Sequence, residues 1–548
     1  MGASKTDQGE RGGRGDVRGD GQAAEPSREQ PVSIVAAIDI GSNAIRMAIA
    51  QVLPDGELEI LEHLQRAVRL GQDTFRRGRL GGQTVRAAVA ILRDYQRVLR
   101  TYGAQHVRAV ATTAVREAAN VDTFLDRVLM ATGLDVAVID TSEESRLTVT
   151  AVRHDLGRAF GLARRSALIC EVGGGSTVLT VLRKGEIAAS QNLNLGSIRL
   201  QEVLSTTDDS PDRSAELLRD QIANIVVSLQ SELHLKRIRT FVAVGGDARF
   251  AARQVGKSTQ SGDLSAIARS DFDKLVAKCQ RHTTEELARV YGLAFADAET
   301  LDPALVVYQS LLHATGAEQI IVSHVSMRDG LLLDLVRSVT GQEDESVSKG
   351  AIHSAMAIAE KYRVDLKHAR HVADMSVHLF DELQSEHGLG ARHRLLLRAA
   401  GLLHEVGGFV SSRAHHKHSH YLIANSEVFG LTRDELLVVA HVARYHRRAC
   451  PKPTHVDYMA MPRETRMVVS KLAALLRVAD ALDRGHGQQV RDIQCERRDE
   501  NLILAVAGVA DLTLERRQVA AKGDLFEDIY GLKVHVEEAQ PARARSAK

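Results

Sequence analysis

The sequence predicts an α/β protein in which one unit occurs twice, followed by a helical segment and a small α+β unit, and three observations carry that expectation. First, AAIDIGSNAIRMAIA around Asp39 and ALICEVGGGSTVLTVL around Glu171 share one layout. In each, an apolar run reaches an acidic residue, passes an aliphatic and a glycine, and resumes as a strand that turns at a Gly-Glu pair (Gly56-Glu57, Gly185-Glu186). Second, the elements that follow the two copies come in the same order. Third, beyond the polar stretch Gly341–Lys349 helical periodicity takes over and histidine becomes dense.

Taken in order, alternating apolar residues give strands at Val35–Ile40, Ala44–Val52 and Glu57–Arg66, and then Val85, Val89, Leu92 and Leu99 mark the buried face of a helix. A strand at Val107–Ala111, a helix near Leu125–Met130 and a strand at Val136–Asp140 complete the first unit. The second reads Ala167–Glu171, Thr177–Leu182 and Glu186–Asn192, a helix at Leu217–Leu233, the strands Thr240–Gly245 and Gln319–Ser323, and a helix at Gly330–Val339. Three hairpin strands, helix, strand, helix, strand is the ribonuclease-H-like order, and two copies around a cleft make the actin-like ATPase superfamily fold. Helix follows from Ala351 to about Arg484, and Val490–Glu538 alternates in segments such as LILAVAG and LKVHVEE around one short helix. The expected divisions are 1–30, 31–145, 146–340, 346–488 and 489–540.

Composition bounds the function. With 548 residues, 44% hydrophobic and 26% charged, the chain has material for several cores. A net charge of +1 excludes the uniformly basic surface of a general nucleic-acid binder, so no nucleic-acid partner is expected and any polyanion site is local. Cys170, Cys279, Cys450 and Cys495 show no paired spacing, as reduced thiols of a cytosolic protein would. No stretch approaches the roughly 20 apolar residues of a membrane span, and no apolar signal segment opens the chain. The expected setting is cytoplasmic, with no membrane partner. The first thirty residues mix Gly, Arg and Asp without large apolar side chains and read as a disordered tail, and QPARARSAK at the other end looks equally loose.

A strand that delivers a carboxylate beside glycines lets backbone N–H groups approach an anion, so two facing copies point to a phosphate held in a cleft. Gly41-Ser42-Asn43 and Gly173-Gly174-Gly175-Ser176-Thr177 supply such N–H groups with hydroxyls, and Arg46, Arg116 and Arg199 offer positive charge nearby.

Seven motifs in this order, AAIDIGSNAIRMAIA, VATTAVREAAN, the SEESRL run, EVGGGSTVLTV, LNLGSIRL, AVGGDARFAA and IIVSHVSMRDGLLLDL, resemble the exopolyphosphatase / guanosine pentaphosphate phosphatase (Ppx-GppA) family from Val35 to about Val336. The resemblance implies magnesium-dependent release of terminal phosphate from polyphosphate, or of the 5′ γ-phosphate from pppGpp. It carries the water-activating role onto Glu144, in Glu144-Ser145-Arg146-Leu147, with Arg116 beside it. Thr141-Ser142-Glu143-Glu144 also reads as a capping box, which would occupy Glu144 without catalysis. Gly196 and Ser197 in the fifth motif and Gly245 and Gly246 in the sixth join the phosphate-binding set, and Asp39 and Glu171 are the implied magnesium ligands. Three positions depart from the family pattern: Glu171 stands for Asp, Val178 for a metal-associated Glu, and Asp247 for the common Thr.

The histidine-rich part resembles the HD-type helical domain that long family members append. It implies a possible second divalent metal on His368, His404-Glu405 and Asp480, with His418, His441 and His446 as extras, although a lost centre kept as scaffold is equally natural. The cluster His415–His420 around Lys417 reads either as a polyanion-lining strip or as a solvated loop. The long helical part also suggests a homodimer. The expected activity is a phosphohydrolase of this type. A catalytically weakened regulatory protein that binds polyphosphate or guanosine nucleotides, and an actin-fold kinase or ATPase, are the alternatives.

Overall fold

The computed structural model describes residues 33–156, 165–204, 211–259, 264–340, 345–447, 449–509 and 511–539. The tail expected over 1–30, the C-terminal Gln540–Lys548 and the start of the polar stretch at 341–344 lie outside the described residues.

The first sheet holds β1 (Ser33–Ile40), β2 (Ala44–Val52), β3 (Leu58–Ala67), β4 (His106–Ala111) and β5 (Val136–Val138) in the order β3-β2-β1-β4-β5. β1 and β2 are antiparallel, as are β2 and β3, whereas β1, β4 and β5 run parallel. The second sheet holds β6 (Ala167–Val172), β7 (Thr177–Arg183), β8 (Glu186–Leu193), β9 (Thr240–Val244), β10 (Lys257–Ser258), β11 (Ser265–Ala268) and β12 (Gln319–Ser323). Its order β10-β11-β12-β9-β6-β7-β8 contains the first sheet's arrangement, with β10 and β11 added antiparallel at the edge of β12. The duplication read from the strand pattern is therefore a duplication of topology.

Alternation along β1 explains how each sheet is covered. Ala36, Ile38 and Ile40 point to one face and pack on Val85, Ala88 and Leu92 of the helix Gly82–Tyr102. Val35 and Ala37 point to the other, where Leu331, Leu332 and Val336 of the helix Met327–Thr340 cover them. That helix comes from the far end of the second unit. Conversely, Val149, Val152 and Leu156 of the helix Thr141–Leu156 pack on Ile169, Leu182 and Val242 of the second sheet. The expected division at 145/146 thus falls inside a continuous helix, and each lobe lends a helix to the other. Leu331 and Leu332 are fully buried, and each burial stabilises the pairing by roughly 1.5–3 kcal/mol. The crossing needs Gly330, where a Cβ would lie 2.2 Å from the Leu147 carbonyl oxygen.

From Glu345 to Leu482 the described residues are mostly helical, and they share one core with the last unit. In that unit β13 (Ile493–Arg498), β14 (Asn501–Val506) and β15 (Lys533–Glu538) form a sheet in the order β13-β14-β15. Two helices, Thr513–Lys522 and Asp524–Tyr530, connect β14 to β15 where one was expected, because Gly523 divides the helical stretch. His415–Ala424 is a helix, which corrects the solvated-loop reading of the histidine cluster. Among the described residues no helix is long and apolar enough to cross a membrane.

Candidate functional site

Ligand sites in open parallel sheets lie beyond the carboxyl ends of the strands, where the connections splay apart. Here β1 and β4 of one sheet and β6 and β9 of the other end on one cavity of about 350 Å³. Asp39 and Glu171 are the penultimate residues of β1 and β6, and both line it. So do the loops that follow, Gly41 to Asn43 and Gly173 to Ser176, together with Ser197, Gly245, Gly246 and Arg46.

The two glycine loops touch. A Cβ on Gly175 would lie 2.8 Å from Ser42 Oγ and 2.9 Å from Thr113 Cβ, and one on Gly174 would lie 3.2 Å from Ser42 Cβ. Thr113 Oγ1 and Ser176 Oγ are 3.0 Å apart across the lobes, and Arg69 pairs with Glu299 at 3.0 Å. Behind the second loop, Gly196 packs backbone on backbone: a Cβ there would fall 2.1 Å from the Gly175 carbonyl carbon and 2.4 Å from Gly174 O. Gly196 supports the loop from outside the cavity. Thr177 is buried and donates to Leu195 O at 2.7 Å, so it too holds the loop's shape. Arg199 bonds Gly175 O (2.7 Å), pairs with Glu117 (2.6 Å) and stacks 4.2 Å over the Phe75 ring. Its charge is spent on Glu117, not offered to the cavity.

Glu144 lines the cavity in the first turn of the helix Thr141–Leu156. The capping-box reading does not hold, because Asp140 caps this helix: its Oδ1 accepts from Glu143 N at 2.9 Å. Glu143 turns instead to Arg146 (2.7 Å) and Arg108 (2.9 Å), in a network that reaches Asp334 on the helix Met327–Thr340. Glu144 is left to Arg116, whose Nη1 donates to its Oε1 at 2.5 Å and to Ile139 O at 2.6 Å. Burial pushes the Glu144 carboxyl up to about 7 against the pull of Arg116, and the negative charges of Glu171 and Asp39 add to the rise. Burial likewise raises Glu171, opposed by Thr148 Oγ1, which donates to its Oε2 at 2.5 Å.

The three departures gather here. Val178 is the register partner of Glu171 and presents an apolar wall to the cavity. Asp247 lies in the first turn of the helix Gly246–Val255, and burial, with Asp297 beside it, pushes its carboxyl up to about 7. Four arginines (Arg46, Arg249, Arg253, Arg328) face five carboxylates (Asp39, Glu144, Glu171, Asp247, Asp297), so the cavity is nearly balanced in charge before any anion enters. Arg249, Arg253, Arg328, Thr113 and Thr148 carried no assignment from the sequence. Arg328 sits within the quoted VSMRDG motif, and Arg249 lies one helical turn past Gly245-Gly246, the signals that would have found them.

In the helical domain His368, His404 and Asp480 converge, their ligand atoms all within 4.8 Å of one another. Glu405 falls in a different group, with His368 and His486. His446 bonds Ala443 O and His415, and His441 meets His420; neither joins the trio.

Residues 48–339 match the Ppx/GppA phosphatase family, and residues 352–523 match Ppx/GppA phosphatase, domain III. The guanosine-5'-triphosphate,3'-diphosphate pyrophosphatase of Photobacterium profundum is 23% identical over 476 residues, spanning 86% of this chain and 88% of that one. That of Aliivibrio fischeri is 24% identical over 477 residues, with the same coverage of 86% and 88%. The crystal structure of an exopolyphosphatase from Cytophaga hutchinsonii, 21% identical, has a TM-score of 0.51, covers 57% of this chain and 99% of that one, and shares its two-lobed fold.

Proposed function

Because the chain belongs to the Ppx/GppA phosphatase family, we propose that it releases the terminal phosphate of inorganic polyphosphate or the 5′ γ-phosphate of pppGpp. The observation that carries this reading is Glu144, a carboxyl of near-neutral pKa, opening on the cavity that both glycine loops line. Backbone N–H groups of Ser42, Asn43 and Gly174 to Ser176 hold the terminal phosphate, while those of Gly41 and Gly173 close the loops on Ala44 O and Ser176 O. Water oxygen bonds to that phosphorus while the bridging P–O bond breaks, and the electron pair leaves with the shortened phosphate. The water proton passes to Glu144. Since Arg116 engages Oε1, the accepting atom is Oε2.

The family implies a divalent ion, and the donors suit magnesium: Asp39 and Glu171 offer hard carboxylate oxygens, and magnesium keeps waters where Val178 gives nothing. Bound there, it would offset charge on the transferring phosphoryl. The mixed lining gives it a purpose, because five carboxylates share the wall with the four arginines and a polyphosphate brings further negative charge. The test is phosphate release from polyphosphate, pppGpp and ATP side by side, with magnesium and with a chelator. Release from one of the first two, abolished by chelation, supports the proposal; release from neither refutes it.

Val178 and Asp247 favour a second reading, a binding protein in which hydrolysis has eroded. Tight binding of polyphosphate or pppGpp with no phosphate release would decide for it.

A further inference from the structure

The helix that carries Glu144 also reaches across to the opposite lobe's carboxylate. Thr148 stands one helical turn beyond Glu144, is 2% exposed and does not line the cavity. Its Oγ1 donates to Glu171 Oε2 at 2.5 Å. Among the described residues Thr148 is the one side chain that hydrogen-bonds the Glu171 carboxylate, and Val178, the register partner of Glu171, has no donor to offer. On the magnesium reading of the cavity, we propose that Thr148 is a positioning residue: its hydroxyl pins Glu171 Oε2 and leaves Oε1 for the cation, so that the two residues act as one ligand.

The length of Glu171 explains why this chain needs such a pin. Glutamate carries one more rotatable bond than aspartate, and each freely turning bond spreads the carboxylate over more positions. A hydrogen bond from a buried threonine removes that freedom, because a β-branched side chain in a helix has few χ1 choices of its own. A ligand oxygen steadied in this way is presented in a fixed direction, and loss of such a partner costs about 10- to 100-fold in metal affinity. The helix is itself held against the second sheet: Ser145 Oγ lies 2.7 Å from Thr180 Oγ1, and Val149 and Val152 pack on Ile169. In its first turn Glu144 is engaged by Arg116 of the first lobe. One element therefore fixes the base and, through Thr148, the carboxylate at the end of β6. With aspartate at 171 the carboxylate retreats by one C–C bond, about 1.5 Å, from a hydroxyl anchored in that helix, beyond hydrogen-bond reach.

Metal binding tests the pairing without turnover, apart from any phosphate-release assay. The full chain, stripped with chelator, is titrated with manganese(II) as the probe for magnesium, and the free ion is followed by its electron paramagnetic resonance signal. Only manganese displaced by excess magnesium is counted, which sets aside ions held by imidazoles. Wild type is compared with Thr148→Val, Thr148→Ser, Glu171→Asp and the double variant Thr148→Val/Glu171→Asp. The expected results are a loss of affinity of about tenfold in Thr148→Val, recovery to within about twofold of wild type in Thr148→Ser, and no further loss when Thr148→Val is added to Glu171→Asp. Thr148→Val at wild-type affinity, or the same loss in both backgrounds, overturns the inference and leaves Thr148 a packing residue. Wild type without displaceable manganese also overturns it, by removing Glu171 as a ligand, while phosphate release still judges the hydrolase reading separately. Should Thr148→Val misfold, Glu171→Asp decides alone: weaker binding than wild type supports the pairing, and equal or tighter binding overturns it.

Discussion

Arg116→Met tests how the cavity sets its base. In the wild type burial raises the Glu144 carboxyl to about 7, and the guanidinium bonded to Oε1 at 2.5 Å is the main force holding it down. An adjacent opposite charge is worth about one to three pKa units, so its removal moves the carboxyl up by at least about one, toward 8 or beyond. The sign is definite. The ionised form is the working base, and a higher pKa means less of it at neutral pH. At pH 7 the ionised fraction falls from about half to about a tenth for one unit and about a hundredth for two, so kcat/KM drops about 5- to 50-fold. The loss recovers as pH rises. A bound cation lowers the carboxyl's pKa in both proteins, so the difference between the two acid limbs is the quantity to read. The assay is kcat/KM for phosphate release from pH 5.5 to 10, with Arg116→Lys retaining most of the wild-type profile. An Arg116→Met profile scaled down uniformly, with its acid limb unmoved, would refute the electrostatic role and leave Arg116 a packing residue.

Gly196→Ala places a methyl 2.1 Å from the Gly175 carbonyl carbon, where backbone must yield, so the second glycine loop shifts. The expected result is a loss of stability of about 1–3 kcal/mol by urea titration together with a larger fall in kcat/KM than that loss explains. Val178→Glu adds a carboxylate at the register partner of Glu171, on the cavity wall. Half-maximal activity is then expected at a magnesium concentration several-fold lower, read by metal titration; an unchanged requirement would place the ion away from Glu171.

What the sequence made legible was local and repeated. Asp39 and Glu171 were visible because apolar alternation and glycine mark a strand ending on an acid, and the pattern occurs twice. What it hid was carried by tertiary packing. The helix Phe295–Ala314 is apolar around much of its circumference and contains Pro303, so it shows no one-sided periodicity. β10 and β11, of 2 and 4 residues, are too short to register. Arg249 and Arg328 look like ordinary helix-surface charges until the fold brings the starts of their helices, Gly246–Val255 and Met327–Thr340, to the cavity wall. The cap at Asp140 was masked by a better-looking Thr-Ser-Glu-Glu string one residue later. Lys522 lies 42 residues beyond its partner Asp480, and no local pattern links them.

Single-turnover phosphate release by Glu144→Gln is the most direct measurement, because the change keeps the shape of the side chain and removes only its capacity to take a proton. With substrate binding kept within a few-fold of wild type, a fall in rate of about 10²- to 10⁴-fold is expected. Release at near the wild-type rate would contradict Glu144 as the base.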